Sequence, residues 1–234
     1  MTQKVEIDSP FWFPSSLQFE VAAEKEDFGA LYKLAQYWWA WVILEERWPA
    51  SKDAAIVYDV GCGSGYGCRV MSVNHKDNIA IHGWDVSSDA LRIANELHQN
   101  CINYRRVNLD VEFARFAKDK EVDLVTCFDA FEQLRHRDWF LQQLVRMMND
   151  KGIFLVTIRD PNGLPTTTLT SCPWEIKYSL DDAKNLLERY FDEVCVASYP
   201  GFPSATYFKT LDAKYDFPTT FSCRTLACIG PRRS

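Results

Sequence analysis

An α/β fold, in which parallel strands alternate with helices around one sheet, is predicted by three observations. The stretch Val57 to Gly67, VYDVGCGSGYG, is a buried-strand pattern that opens abruptly into glycines at alternate positions. Two later apolar runs end on acids in the same way, Ala80 to Trp84 at Asp85 and Glu121 to Phe128 at Asp129. Between and after these runs, Leu91, Ala94 and Leu97, then Phe140, Leu144 and Met147, recur at helical spacing. Strand and helix patterns taking turns along a chain imply a sheet covered by helices.

The first 29 residues, rich in Phe and Trp at 11 to 13, read as an irregular arm or lid. Early acids and two prolines, without a basic region or long apolar core, set the start MTQKVEIDSPFWFPSS apart from a signal peptide. Residues 30–234 read as one domain, since 234 residues that are 47% apolar suffice for one sizeable core. A helix follows the arm, with Leu31, Leu34, Ala35, Trp38, Trp39 and Val42 as its apolar stripe and Pro49 beyond its end. The longest wholly apolar run, Tyr37 to Leu44, falls far short of the roughly twenty residues that cross a bilayer, so no membrane insertion is expected.

Gly61, Gly63 and Gly65 remove the Cβ atoms that would hold a ligand away and permit positive φ. A short helix from Gly67 to His75 would aim its first N–H groups over that loop. About twenty residues beyond the glycines, Asp85 stands where a carboxylate can accept both hydroxyls of a ribose. Ser87 or Ser88 caps the next helix, which stops near Asn100, and Ile102 to Val107 forms a third strand leading to Asp110. After the fourth strand and its helix, Asp150, Lys151 and Gly152 make a turn into a fifth strand, Ile153 to Ile158. Arg159, Asp160 and Asn162 follow at its carboxyl end, where open α/β sheets bind ligands. The aperiodic segment Leu164 to Lys177 has the character of a specificity loop. Ser179 with Asp182 starts a last helix faced by Leu180, Ala183, Leu187 and Tyr190, and Glu193 to Tyr199 and Phe221 to Ile229 are the last strands.

The motifs VYDVGCGSGYG and HGWDVSSDAL together resemble the first two of class I S-adenosylmethionine-dependent methyltransferases, of the small-molecule branch akin to methyltransferase types 11 and 12. DLVTCFDAFEQL and MMNDKGIFLVTIRDPNG resemble the fourth-strand motif and the turn into the fifth strand of the same family. The resemblance runs from about residue 30 to 229. It implies a Rossmann-like, doubly wound, seven-stranded, mostly parallel sheet with an antiparallel C-terminal hairpin and helices on both faces. It implies S-adenosylmethionine as cofactor, held by Asp59, Gly61, Cys62, Gly63, Gly65, Asp85, Val86, Asp110, Phe128 and Asp129. Asp110 falls where the family often accepts the adenine amino group; a solvated loop acid is the other reading. Tyr32, Tyr37, Trp38, Arg159 and Asn162 become substrate-pocket candidates, although an aromatic stripe of this kind is more often core. Where the family commonly has Glu-His-Leu, this chain has Glu132, Gln133 and Leu134, and glutamine takes no proton near neutral pH. The remaining acid/base candidates are Glu132, His136 and Asp160, with His136 also readable as part of a solvated basic patch between Arg135 and Arg137.

Net charge of −6 disfavours nucleic acid as a partner. Eight cysteines without a C-x-x-C pair read as reduced thiols in a cytoplasmic setting, and four scattered histidines give no metal-ligand pattern. No metal is expected: Pro161 separates Asp160 from Asn162, unlike the Asp-Asn pair of catechol-type methyltransferases. The chain also lacks the D/N-P-P-Y/F motif of amine-directed DNA enzymes, which leaves a small-molecule or glycan acceptor, methylated on oxygen or nitrogen. Two alternatives have different consequences. One is a nucleoside-binding protein without turnover, suggested by Gln133. The other is a nicotinamide-dependent oxidoreductase, whose fingerprint G-x-G-x-x-G differs from the G-x-G-x-G found here.

Overall fold

A computed structural model of the chain describes residues 36, 37, 40, 43, 44, 55–72, 79–98, 102–116, 121–159, 178–197 and 223–232. Seven strands form one sheet: β1 (Ala55–Val60), β2 (Ile79–Asp85), β3 (Ile102–Arg106), β4 (Val122–Cys127), β5 (Met148–Arg159), β6 (Phe191–Ala197) and β7 (Cys223–Pro231). Their order is β3-β2-β1-β4-β5-β7-β6. Strands β1 to β5 pair in parallel, whereas β7 runs antiparallel to both β5 and β6. The doubly wound sheet and its hairpin are therefore as the resemblance implies. The order reverses between β1 and β4, and a crevice opens at the carboxyl ends of strands at such a switch point.

The helices joining the strands are α1 (Tyr66–Ser72), α2 (Ser88–Leu97), α3 (Phe113–Phe116), α4 (Arg137–Met147) and α5 (Leu180–Leu187). Ser87 is the N-cap of α2, its hydroxyl accepting the Ala90 N–H, and Ser179 caps α5 by accepting the Asp182 N–H. Each face of the sheet carries its own core. One side gathers Phe113, Phe131, Phe140, Leu144, Leu187 and Phe191; the other gathers Tyr37, Ala40, Leu44, Met71 and Leu91. Burying a side chain of this size is worth about 1.5–3 kcal/mol, so both faces contribute to stability. Helical residues Tyr37, Ala40 and Leu44, spaced three and four apart, close the second face. The predicted stripe of Leu31, Leu34, Ala35, Trp38, Trp39 and Val42 lies outside the described residues, as do the arm, the loop at 164–177, and Tyr32, Asp160 and Asn162.

Several boundaries move. Helix α1 starts at Tyr66, one residue before Gly67, and α2 stops at Leu97, which is 56% exposed and does not extend the apolar stripe. Tyr190 lies beyond the end of α5 and turns its hydroxyl to Asp138, so it is not part of that helix face. The turn expected at Asp150 to Gly152 belongs to β5, which begins at Met148. Met148 pairs with Val122 and Ile153 with Leu124, so β5 carries additional residues in a bulge. Asn149 supports the bulge, donating from its amide to Asp123 and accepting the Lys151 N–H. Strand β3 ends at Arg106, one residue short of Val107; β6 begins two residues earlier than predicted and β7 ends two residues later.

Candidate functional site

The turn after β1 holds three residues in the left-handed region, Gly61 (φ 79°), Gly63 (φ 54°) and Gly65 (φ 78°). Only glycine adopts such angles readily. The Gly61 and Cys62 N–H groups both donate to the Trp84 carbonyl at the end of β2, which ties the loop to the neighbouring strand. The space around the three glycines differs. A Cβ on Gly61 would collide with Ala130 beyond β4, and one on Gly65 with the Tyr104 ring and hydroxyl from β3. A Cβ on Gly63 would meet nothing within 4 Å. Gly63 is the position that presents bare backbone to open space.

Asp85 organises the other side of this space. Its Oδ2 accepts the Gly63 N–H at 2.8 Å and its Oδ1 accepts the Ser87 N–H at 2.8 Å. The carboxylate is thereby aimed from the tip of β2 across the loop, with lone pairs left over on both oxygens. Asp110, past the end of β3, accepts the backbone N–H groups of Arg135 and His136 at 2.8 and 2.9 Å. Val86 and Val111, directly after these two acids, are 56% and 62% exposed. Two apolar side chains left in solvent, each beside a strand-tip acid, suit the faces of a flat ring. Val111 escapes sequence reading, because only its exposure distinguishes it.

Beneath the loop lies Asp59, fully buried on β1. Its carboxylate accepts from the Thr126 hydroxyl at 2.7 Å, the Tyr37 hydroxyl at 3.3 Å and the Cys68 thiol at 3.4 Å. Burial raises its pKa to about 6, against the lowering effect of these three donors. Burial likewise pushes the Cys62 and Cys68 thiols and the Tyr37 hydroxyl up, keeping them neutral. Tyr37 is thus placed under the glycine turn; its ring meets Phe128 edge-on with centroids 4.9 Å apart, and Phe128 is itself buried.

The β4 side of the crevice is a tight corner. Asp129 is the one non-glycine residue with positive φ (55°) among the described residues. Its N–H donates to the Thr157 hydroxyl at 2.8 Å, and its carbonyl accepts from the Gln133 amide at 2.7 Å. Two of the three acid/base candidates are described, and they differ in burial. Glu132 is buried in a short 3-10 turn (Phe131–Gln133), His136 is exposed at the N-cap of α4, and Asp160 lies outside the described residues. Arg159 closes β5. Among the described residues no three His, Cys, Asp or Glu side chains are grouped to hold a metal ion, and no helix is long and apolar enough to cross a membrane.

Residues 58–154 match the model of a methyltransferase domain. No curated protein matches the sequence. Among solved structures, the plantazolicin methyltransferase BamL, solved with a desmethyl-plantazolicin analogue and S-adenosylhomocysteine, superposes with a TM-score of 0.67 at 14% identity, over 94% of this chain and 92% of that one. An S-adenosylmethionine-dependent methyltransferase from Mesorhizobium loti gives 0.59 at 15% identity, over 82% and 97%. Phosphoethanolamine N-methyltransferase 2 of Haemonchus contortus, solved with S-adenosylmethionine, gives 0.55 at 16%, and this chain spans 52% of its length. The fold is that of the class I methyltransferases, and the matched segment covers the glycine turn, both flanking acids and the β4 corner.

Proposed function

We propose that this class I methyltransferase domain moves a methyl group from S-adenosylmethionine to a small-molecule or glycan acceptor, at oxygen or nitrogen. The observation that carries the reading is the bare backbone of Gly63, whose N–H is held by the Asp85 carboxylate and beside which a Cβ would meet nothing within 4 Å. In this reading Asp85 receives the ribose hydroxyls, Val86 and Val111 cover the adenine, and Asp110 faces its amino group. The amino-acid end crosses the bare backbone of the glycine turn toward Asp129. Solved structures of the same fold that hold S-adenosylmethionine or its product support that choice of cofactor.

Transfer is an in-line displacement. The acceptor heteroatom attacks the sulfonium methyl, the carbon–sulfur bond breaks, and S-adenosylhomocysteine leaves, so alignment at roughly 3 Å supplies much of the rate. The protein forms no covalent intermediate. A hydroxyl acceptor also gives up its proton, for which Glu132, His136 and Asp160 have the right chemistry; of the two that are described, exposure favours His136. Tyr32, Trp38, Arg159 and Asn162 belong to the acceptor side in this reading.

Isothermal titration with S-adenosylhomocysteine, followed by assay of its release from S-adenosylmethionine in a metabolite extract, tests both steps. Saturable binding with release supports transfer. Binding without release in any extract favours the turnover-free reading, to which the loss of the titrating group at Gln133 points, and a structural neighbour of this fold is a [4+2]-cyclase. Binding of NAD in place of the nucleoside product overturns the cofactor. We infer a cytoplasmic setting, the 1–29 arm acting as a lid and residues 30–234 as the methyltransferase domain.

A further inference from the structure

Gln133 stands where the family pattern has a histidine, and its amide is used structurally. The side-chain N–H donates to the Asp129 carbonyl at 2.7 Å, four residues back across the corner. The same corner is gripped from β5 by Thr157, which accepts the Asp129 N–H. Between these two bonds Asp129 keeps φ at 55°, in the left-handed region that Asp enters more readily than most side-chain-bearing residues but still at a cost relative to glycine. The corner in turn abuts the donor loop, because Ala130 occupies the place a Gly61 side chain would take. Both walls of the crevice therefore meet at Gly61 and Ala130, and a relaxed corner would move against the loop.

We infer that Gln133 is a positioning residue: it holds Asp129 in its left-handed turn and so sets the wall of the donor crevice opposite the glycine loop. This rests on the donor reading above. A proton-transferring side chain at position 133 is then unnecessary, since the position is occupied by a hydrogen-bond donor whose work is geometric. The histidine of the family pattern can supply an equivalent N–H when neutral.

The test is hydrogen exchange at residues 129 and 130 together with titration by S-adenosylhomocysteine, in Gln133→Met, Gln133→His and Asp129→Gly. Gln133→Met keeps the side-chain volume and removes the donor. It is expected to speed exchange at 129 and 130 by about tenfold, leave residues 124–127 unchanged, and weaken binding by about tenfold. Gln133→His is expected to restore both at pH 8. In an Asp129→Gly background, where the turn needs no holding, Gln133→Met is expected to weaken binding less than about threefold. Unchanged exchange at 129 and 130 in Gln133→Met overturns the inference, and so does an equal loss of affinity with and without Asp129→Gly. A wild-type protein that binds no S-adenosylhomocysteine overturns the donor reading alone, and the exchange comparison still decides the role of Gln133.

Discussion

At the tips of β1, β2 and β3 the candidate ligand groups are held by backbone: Asp85 by two N–H groups, the glycine turn by the Trp84 carbonyl, Asp110 by two more N–H groups. At the tip of β4 the Asp129 corner is held by the side chains of Thr157 and Gln133, while Glu132 beyond it is buried and His136 exposed. Backbone-held geometry tolerates sequence change around it. Side-chain-held geometry varies with substitution, which suits the half that the proposed function gives to the acceptor. One edge of one sheet thus combines a half fixed by backbone with a half held by side chains, which the proposed function assigns to cofactor and acceptor respectively.

Substitutions can break this contrast in graded ways. The largest effect is expected for Gly61→Val, which sets a branched side chain against Ala130 at φ 79°; it should cost more than about 3 kcal/mol and leave little folded protein, measured by urea denaturation. Gly63→Val has open space, so the same measurement should give a loss of about 1–2 kcal/mol while S-adenosylhomocysteine binding disappears. If Gly63→Val binds normally, the crevice is misplaced. Asp85→Ala removes the proposed ribose acceptor and frees the Gly63 N–H, and calorimetry should show binding weakened by roughly thirtyfold or more.

A pH series examines the buried support beneath the loop. The folded-state pKa of Asp59, raised to about 6 from 3.8, means that the native protein binds more protons than the unfolded chain between those values. Stability from this group is then highest below about pH 4 and falls as pH rises toward 6, by at most about 3 kcal/mol. Asp59→Asn should lose that pH-dependent difference relative to wild type, read from paired denaturation curves at pH 4 and 7. The smallest effect belongs to Tyr104→Phe, which deletes the hydroxyl bond to the Gly65 carbonyl at 3.1 Å; about 1 kcal/mol of stability and a few-fold weaker donor binding are expected.

Legibility in the sequence follows the same division. The glycine turn, Asp59 and Asp85 could be read because their signal is local: a strand, a turn and an acid within a few residues of one another. The hairpin came from the resemblance and not from periodicity, since antiparallel pairing between residues as far apart as 153 and 229 leaves no local trace. Tyr104 and Thr126 were missed for the same reason. They act on Gly65 and Asp59 from 39 and 67 residues away, and in isolation each is an ordinary strand residue. Asp150 and Gly152 are turn formers and predict a turn at the β5 bulge, and pairing with β4 overrides that preference. As a residue type, Gln133 signals only a missing base. Its bond to Asp129 depends on a backbone angle that residue type alone does not disclose.

Because β7 is threaded between β5 and β6, the sheet closes out of order with synthesis. While the chain is being made, β5 has its β4 partner on one flank and an open ladder of N–H and C=O groups on the other until residue 231 has left the ribosome. The nascent protein therefore passes through a sticky, half-finished stage in which β5 could pair with a stranger. Removing residues 223–231 would make that stage permanent.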